Sequence, residues 1–522
     1  MEQLSLEDPS PLLEAASEFT LYPGIQNDAS IKNFLDRFPL PLIFSALQSK
    51  SDVPGLESTL VDCLERIFRT KYGASLIPQY MAFIKVGLSA ESQSVRCLAC
   101  KAVSSLLEND DKVADTAAQL VIDYGIYPCL LDSLTHGDEK VAAASTDAIK
   151  SLASSPKGID VIFPANVDES THLRNVAAHC SSLGRIRVMA LIVKLFSVSS
   201  FVASRAHNSN LLNLLEAEVD RKNDMLTTLN VLELLYELSD ISHAAEFLPR
   251  STLLQLLTTL ISDASVESIL RSRAIMISGR LLSSEGLSCL DESDVKAVLE
   301  ALDARLESLK GQDVDEFETA LEALGQIGSS NQGAALLLSS SSPVARHVVE
   351  AAFNRHGRGA QLAALHALGN ICGENRSDNS KLLNNADEEC LRRIIYDTAG
   401  ESPKLTPSGL FLSVLRQDSN VRLAAYRLLT GLVARQWCLQ QICSKQEIID
   451  IVTDPHTEST KNGMEARYIC CKSIYSALSA LNATHPSLIK IASKLQEAVK
   501  RGPYLSRDRM EAQPTVATSD RF

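Results

Sequence analysis

A helical motif recurs along most of this chain at a spacing of about 44 residues. The clearest copies lie in the segments 273-RAIMISGRLL, 319-TALEALGQIG, 363-AALHALGNIC and 424-AAYRLLTGLV. Alignment on Gly279, Gly325 and Gly369 gives steps of 46 and 44 residues, and Thr430 takes the equivalent position 61 residues later. Such a period is typical of HEAT and armadillo repeats, in which each repeat is a pair or trio of helices.

The same register extends in both directions from these copies. Its anchor is an apolar or small residue near the end of the second helix of each repeat, and successive anchors are 46, 44, 42, 44, 46, 44, 61 and 45 residues apart. The anchors are Leu106, Leu152, Phe196, Leu238, Leu282, Gly328, Cys372, Val433 and Leu478. We therefore predict an all-α fold, a HEAT/armadillo-like right-handed α-solenoid of about ten helical repeats.

One copy shows why the repeats must stack. In 421-VRLAAYRLLTGLV the apolar residues follow the spacing of an amphipathic helix, and their stripe is wider than one partner helix can cover. Two helices of about 15 residues would fill one repeat. Small residues, among them Ala364, Ala424 and Gly369, would let helices of adjacent repeats approach closely.

Three regions are predicted along the chain. Residues 1–55 contain Pro39, Pro41 and Pro54 and are expected to form an irregular N-terminal capping region. Residues 56–500 are predicted to form the repeat solenoid. The 61-residue step predicts an insertion, placed as a long loop near 397–409 because 397-DTAGESPKLTPSG is rich in Gly, Pro and Ser. Residues 501–522 lose apolar periodicity, so we predict a disordered tail.

Composition restricts the classes of partner. The net charge is −14, so a broad basic face for nucleic acid is not expected. No run approaches 18 apolar residues, so no membrane span is predicted. The start of the chain lacks the pattern of a signal peptide, and the 12 cysteines fit buried core thiols. We expect a monomer in the reducing cytoplasm, with access to the nucleus as an alternative.

The sequence contains no complete catalytic or metal-binding motif. Cys97 and Cys100 have C-x-x-C spacing, yet they lie in a repeat helix without a second ligand pair, which favours core thiols over a metal site. The segment 356-HGRG resembles a phosphate loop but lacks the preceding strand and the Lys-Ser/Thr ending, so it is predicted to be a turn between helices. We therefore expect no enzyme, no metal and no cofactor.

The repeat does nominate surface residues. Glu322, His366 and Arg427 share one offset within three copies, and Asn370 lies one turn after His366 on the same helix face. Equivalent positions of stacked repeats align as a column. Two interpretations remain open, a solvated ridge and a partner-binding groove formed by these four residues.

Three C-terminal segments carry a resemblance: 419-SNVRLAAYRLLTGLVARQWCLQQIC, 465-EARYICCKSIYSALSAL and 495-LQEAVKRGPYL. They resemble the proteasome non-ATPase regulatory subunit 5 family in the helix before Gln436-Trp437 and in Gly502-Pro503-Tyr504. The sequence after Tyr504 departs from that family.

The resemblance implies an assembly chaperone for the base of the 26S proteasome regulatory particle. Such a protein binds the C-terminal domain of an AAA-ATPase subunit, within an intermediate that includes a large non-ATPase scaffold subunit, and is absent from the mature particle. No short binding motif transfers to this chain, so the four surface residues remain a hypothesis.

Three other functions are considered. An importin-type adaptor needs a ladder of tryptophans, and this chain has one, Trp437. A generic HEAT/armadillo scaffold or adaptor, such as a phosphatase regulatory subunit, is opposed only by the C-terminal resemblance. An enzyme would need polar residues that converge in a cavity.

Overall fold

The computed structural model describes residues 8–24, 26–49, 53–109, 114–166, 169–220, 224–283, 287, 289–309, 314–339, 343–353, 357–377, 381–481 and 486–504. Within these ranges the secondary structure is helical and no strand occurs. The chain divides into two compact units, unit 1 with residues 1–253 and unit 2 with residues 254–522. The prediction of an all-α helical-repeat protein is confirmed.

The helices of unit 1 are α1 Ser10–Leu21, α2 Asp28–Arg37, α3 Leu40–Ser49, α4 Leu56–Phe68, α5 Lys71–Leu76, α6 Met81–Leu88, α7 Gln93–Glu108, α8 Ala114–Asp123, α9 Ile126–His136, α10 Glu139–Leu152, α11 Pro156–Ile162, α12 Leu173–His179, α13 Ser182–Phe196, α14 Ser200–Asn208, α15 Leu212–Asp220 and α16 Met225–Leu238. Short 3₁₀ turns span Ile77–Tyr80, Ser242–Ala244 and Leu248–Arg250.

Helix α17, Leu253–Ser262, begins on the last residue of unit 1. The helices of unit 2 that follow are α18 Ser268–Ser283, α19 Glu292–Leu309, α20 Val314–Ile327, α21 Asn331–Leu338, α22 Ala345–Phe353, α23 Arg358–Ile371, α24 Asn385–Glu401, α25 Pro407–Leu415, α26 Ser419–Leu432, α27 Gln436–Cys443, α28 Gln446–Thr453, α29 Lys461–Ala480 and α30 Pro486–Arg501.

Most repeats contain three helices rather than the predicted two. One long helix is followed by two shorter ones, as in α7 to α9, α13 to α15, α20 to α22 and α26 to α28. The predicted anchors all lie at the C-terminal end of a long helix or directly after it, and all nine are buried. The register of the repeat is therefore correct. The handedness of the solenoid stays a prediction.

Within each unit the long helices pack on one another in chain order. In unit 1, α4 contacts α7, α7 contacts α10, and α13 contacts both α10 and α16. In unit 2, α18, α20, α23, α26 and α29 pack in the same way, each against the next. These five helices form one layer, called here the long-helix layer of unit 2.

Glycines set the spacing of that layer, as the sequence predicted for small residues. A Cβ on Gly279 would lie 3.0 Å from Cα of Ala323, and one on Gly325 would lie 2.7 Å from Cα of Ala367. The Gly369 position is less tight, because its Cβ would lie 3.9 Å from Cα of Leu428. Gly279 and Gly325 are thus positions where the absence of a side chain lets neighbouring helices approach closely.

A second glycine pattern fixes the turn after several long helices. Ser155 caps α11 by accepting a hydrogen bond from the backbone N–H of Gly158 at 3.0 Å, and Ser330 does the same for Gly333 at 3.0 Å. A Cβ on Gly158 would lie only 2.0 Å from the carbonyl oxygen of Leu152, the last residue of α10. The short helix can therefore fold back on the long one only with glycine at this position.

A buried ion pair network joins three helices of unit 2. Glu316 of α20 is almost completely buried and accepts two hydrogen bonds from Arg271 of α18, at 3.0 and 2.8 Å. Arg305 of α19 donates two more, at 2.6 and 3.0 Å. Burial by itself would raise the pKa of Glu316, but the two guanidinium groups outweigh it and leave the pKa below its usual value. The carboxylate thus holds α18, α19 and α20 together.

The predicted irregular N-terminal region requires correction. Residues 1–55 contain α1, α2 and α3, and both α1 and α3 pack against α4. The prolines did not prevent this, because Pro39 and Pro41 lie at the start of α3, where a proline costs no backbone hydrogen bond.

The predicted long loop near 397–409 also requires correction. Helix α24 continues to Glu401, where Thr398 and Ala399 are buried, and α25 begins with Pro407, which leaves only 402–406 outside a helix. The extra residues of the 61-residue step are divided between two places. Helix α24 has 17 residues where α21 and α27 have 8 each, and residues 372–384 separate α23 from α24 where only 328–330 separate α20 from α21. Of the predicted disordered tail, residues 505–522 lie outside the described part of the chain.

Candidate functional site

The four predicted surface residues lie on three consecutive helices of the long-helix layer. Glu322 belongs to α20, His366 and Asn370 to α23, and Arg427 to α26. The side chains of Glu322, His366 and Arg427 are exposed, whereas Asn370 is half-buried. We call Glu322, His366 and Arg427 the polar row of unit 2. These three helices pack in series, each against the next, and a partner-binding role for the polar row stays a prediction.

Asn370 has a structural contact that the sequence did not indicate. Its amide nitrogen donates a hydrogen bond to the carbonyl oxygen of Gly325 at 3.1 Å, which joins α23 to α20. Because Gly325 has no side chain, its backbone is within reach of the neighbouring helix. We therefore assign Asn370 to holding the layer and place it outside the polar row.

His366 and Arg427 influence each other electrostatically. Partial burial lowers the pKa of His366, and the nearby positive charge of Arg427 lowers it further. Both effects favour the neutral imidazole. On the adjacent helix, partial burial and the charge of Glu318 raise the pKa of Glu322. The polar row thus presents a carboxyl group, a neutral imidazole and a guanidinium in that order.

A fourth group, Glu374, was missed by the sequence analysis. Its Oε1 lies 3.8 Å from Nε of Arg427, and burial raises the pKa of Glu374 while the charge of Arg427 lowers it in part. Gly373, with a φ of +84°, ends α23, and the Glu374 backbone N–H then donates to the carbonyl oxygen of Gly369 at 3.0 Å. A glycine directly after a helix is the signal that could have located this carboxylate.

Arg376 fixes the loop that carries Glu374. Its guanidinium donates hydrogen bonds to the carbonyl oxygens of Ser329 at 3.1 Å and Ile371 at 3.1 Å, and also to those of Gly328 and Asn370. These carbonyls lie at the C-terminal ends of α20 and α23, where backbone acceptors have no partner inside the helix. Arg376 therefore satisfies two helix ends and positions the acidic neighbour of Arg427.

The residues that carry the C-terminal resemblance have structural contacts. Trp437 of α27 lies against Tyr396 of α24, with ring centroids 5.7 Å apart. Next to it, Arg435 is buried and donates to both carboxylate oxygens of Glu388 at 2.7 and 2.9 Å. The carbonyl oxygen of Pro503 accepts a hydrogen bond of 3.3 Å from Arg467 of α29. These motif residues thus attach α27 and the end of α30 to the rest of unit 2.

Seven of the cysteines are buried, four are half-buried and Cys289 is exposed. Burial raises the pKa of the Cys100 thiol to about 12 and also raises that of Cys97, so neither is a ready thiolate. Throughout the described ranges, no group of three His, Cys, Asp or Glu side chains is placed to hold a metal ion. Among the same residues, no helix is long and apolar enough to cross a membrane.

Unit 1 has a groove that runs across its own long helices. This groove of about 1040 Å³ is crossed by ion pairs between repeats, since Glu65 of α4 contacts Lys101 of α7 at 2.8 Å. Glu108 of α7 likewise accepts a hydrogen bond of 2.7 Å from Ser151 of α10. Glu65, Lys101 and Glu108 of the groove are thus used in joining adjacent repeats.

These features define a helical-repeat protein with exposed polar residues on consecutive packed long helices. The model of one family, described as proteasome non-ATPase 26S subunit, matches residues 40–521. The chain belongs to this family and is a proteasome-related helical scaffold. No curated protein sequence matches it.

Two solved structures resemble the chain, both crystal structures of engineered proteins. The first has 15% sequence identity and a TM-score of 0.42, and the match covers 80% of this chain and 98% of the other. The second has 16% identity and a TM-score of 0.37, with 50% of this chain and 97% of the other covered.

Proposed function

We propose that this chain is an assembly chaperone for the base of the 26S proteasome regulatory particle. In this proposal it binds the C-terminal domain of one AAA-ATPase subunit, together with an intermediate that contains a large non-ATPase scaffold subunit, and leaves before the particle is complete. It acts as a monomer in the cytoplasm, with access to the nucleus. The observation that carries the proposal is the family match over residues 40–521.

The C-terminal resemblance supports the subunit 5 group within this family. Its motif residues lie in α27 and after α30, in the same unit as the polar row. Family membership supports binding to proteasome components, and the resemblance supports the narrower role of a chaperone.

The long-helix layer supports a protein-binding role on physical grounds. Neighbouring packed helices lie about 8–10 Å apart, so five of them in series extend over roughly 30–40 Å. A standard protein interface buries about 800 Å² on each partner, which a face of this width can supply. Glu322, His366 and Arg427 would meet the partner at the exposed face, and Glu374 would orient Arg427.

The first experiment is a pull-down of the purified chain against the C-terminal domain of each base ATPase in turn. We expect selective capture of one domain and no capture of the finished 26S particle. Capture of no ATPase domain by the folded chain would refute the proposal. Capture of a phosphatase catalytic subunit instead would support the generic scaffold alternative.

Variants test the polar row separately. Arg427→Glu reverses a charge on an exposed side chain and leaves the buried core unchanged, so we expect it to weaken the captured complex by about tenfold or more. Lys404→Glu is the matched control, because Lys404 is exposed in the short 402–406 connection and belongs to none of the five helices of the layer. Equal affinity for both variants would exclude the polar row from the interface without touching the family assignment.

A further inference from the structure

A second pocket lies in unit 1, between α3, α4, α6 and α7, and neither the polar row nor the groove includes it. Its volume is about 430 Å³, within the range of sites that enclose a side chain or a small ligand. Its lining combines apolar and acidic residues: Phe44, Leu47, Gln48, Glu57, Phe83, Val86, Gly87, Ala90, Glu91, Ser92 and Val95.

The pocket has an aromatic floor. The rings of Phe44 and Phe83 are stacked with centroids 5.0 Å apart, and Tyr80 packs edge-on to Phe44 at 5.7 Å. Val86 is 55% exposed although it is a large aliphatic residue. Phe83 is half-buried and Val86 exposed, so both present apolar surface to water, and covering it would be favourable; Phe44 is buried behind the Phe83 ring.

The walls are held by helix packing. A Cβ on Gly87 of α6 would lie 3.2 Å from Cβ of Ala99 in α7, so the absence of a side chain lets the two helices approach closely. Ser92 caps α7 through the backbone N–H of Val95 at 3.4 Å. The pocket therefore exists before any partner arrives, which lowers the entropic cost of binding.

The rim is acidic. Glu57 and Glu91 are the ionisable residues among those that line the pocket, and both are carboxylates. The Ser92 hydroxyl donates a hydrogen bond of 2.5 Å to Glu57, which holds that carboxylate at the mouth, while Glu91 is exposed. A cation beside an apolar group would complement this arrangement. The net charge of −14 would also attract a basic segment from a distance.

We propose that this pocket binds one large apolar side chain, phenylalanine or leucine, carried by a lysine-rich segment of another protein. The apolar side chain occupies the floor formed by Phe44 and Phe83, and the flanking ammonium groups pair with Glu57 and Glu91. Anionic partners are disfavoured by the same carboxylates. The inference concerns unit 1 and is independent of the proposed chaperone role.

The test uses three fluorescein-labelled heptapeptides and fluorescence polarisation at low ionic strength. The first is Lys-Gly-Lys-Phe-Lys-Gly-Lys, the second has serine in place of phenylalanine, and the third has glutamate in place of each lysine. We expect the first peptide to bind at least about tenfold more tightly than either of the others. Equal binding of the phenylalanine and serine peptides, or no binding of any, would overturn the inference.

Two pocket variants and two matched controls separate the pocket from general electrostatics. Val86→Asp and Glu91→Lys should each weaken the first peptide by about fivefold or more. The controls are Phe201→Asp, an equally exposed apolar residue of unit 1, and Glu139→Lys, an exposed carboxylate at the start of α10. An equal loss of peptide affinity in the two controls would contradict the proposed binding site. Self-association of the unaltered chain that Val86→Asp abolishes would contradict it too, because the pocket would then be occupied by a second copy.

Discussion

Leu428→Asp should unfold the long-helix layer of unit 2, whereas Arg427→Asp should not. The two residues are adjacent in α26, yet Leu428 is completely buried and the Arg427 side chain is 50% exposed. Leu428 lies against α23, where a Cβ on Gly369 would approach its Cα to 3.9 Å. The pair therefore tests the helical register, because the same new residue is placed at a buried position and at an exposed position of one helix.

The expected magnitude follows from burial. Removal of a fully buried leucine side chain costs about 2–5 kcal/mol, because transfer free energy and packing are both lost. A buried carboxylate without a partner at the same site destabilises the fold by several kcal/mol more. Protonation of that carboxylate would cost a similar free energy. The total of roughly 5 kcal/mol or more is comparable to the net stability of a typical domain. Arg427→Asp instead removes a weak surface ion pair with Glu374, worth about 0–1 kcal/mol.

The assay is urea unfolding followed by circular dichroism, with hydrogen exchange to localise the change. A repeat protein need not unfold in one step, so the exchange of α23, α26 and α29 is the decisive readout. We expect these helices to lose protection in Leu428→Asp and to keep it in Arg427→Asp. If Leu428→Asp unfolds at the same urea concentration as the unaltered chain, the assignment of the buried face is wrong.

Three further predictions concern the same unit. Glu316→Gln should lower the free energy of unfolding by about 3–5 kcal/mol, measured by urea unfolding, because it leaves the buried guanidinium of Arg271 and the half-buried one of Arg305 without their carboxylate. Gly325→Ala should lower the free energy of unfolding by about 1–2 kcal/mol, because the new methyl group would press on α23. Gly400→Ala, whose Cβ would meet no atom within 4 Å, should raise it by about 0.5–1 kcal/mol. If both variants shift the melting temperature in the same direction, the contact argument is refuted. Because the pKa of His366 is lowered in the folded chain, the folded state binds fewer protons than the unfolded state, and stability should fall as the pH drops below about 6.5. Arg427→Gln should raise the pKa of His366 in an NMR titration.

The Glu316 and His366 predictions have matched control variants within the chain. Glu318→Gln alters a half-buried carboxylate on the same helix as Glu316 and should change stability by less than about 1 kcal/mol. For the titration, Lys404→Gln removes an exposed positive charge in the 402–406 connection and should leave the pKa of His366 unchanged. A His366 pKa that moves equally in both variants would show that net charge, and not the adjacent guanidinium, sets its value.

The long helices and their register were predictable from the sequence. Residues such as Leu152, Leu282 and Leu478 recur at the repeat spacing and are all buried. The prediction succeeds because an amphipathic helix places every third or fourth residue on one face. The spacing of apolar residues along the chain therefore indicates which residues are buried. The close approach at Gly325 was predictable for the same reason, since small residues recur at one offset.

The number of helices in each repeat was not predictable in the same way. Short helices such as α21 and α27, with 8 residues each, are too short to show a clear period. Isolated helices of this length are marginal, and packing on the long helix stabilises them. Likewise, 397-DTAGESPKLTPSG has the composition of a loop, yet its first residues extend α24 because Thr398 and Ala399 are buried against other helices.

The sequence by itself determined the class of fold, the register of the repeat and the exposed positions of Glu322, His366 and Arg427. The tertiary structure decided what those positions do. It assigned Asn370 to a hydrogen bond with Gly325, and it brought Glu374 to Arg427 from another part of the chain. Spacing along a helix reports which face a residue occupies. Contacts between helices depend on how closely the backbones approach, and only packing sets that distance.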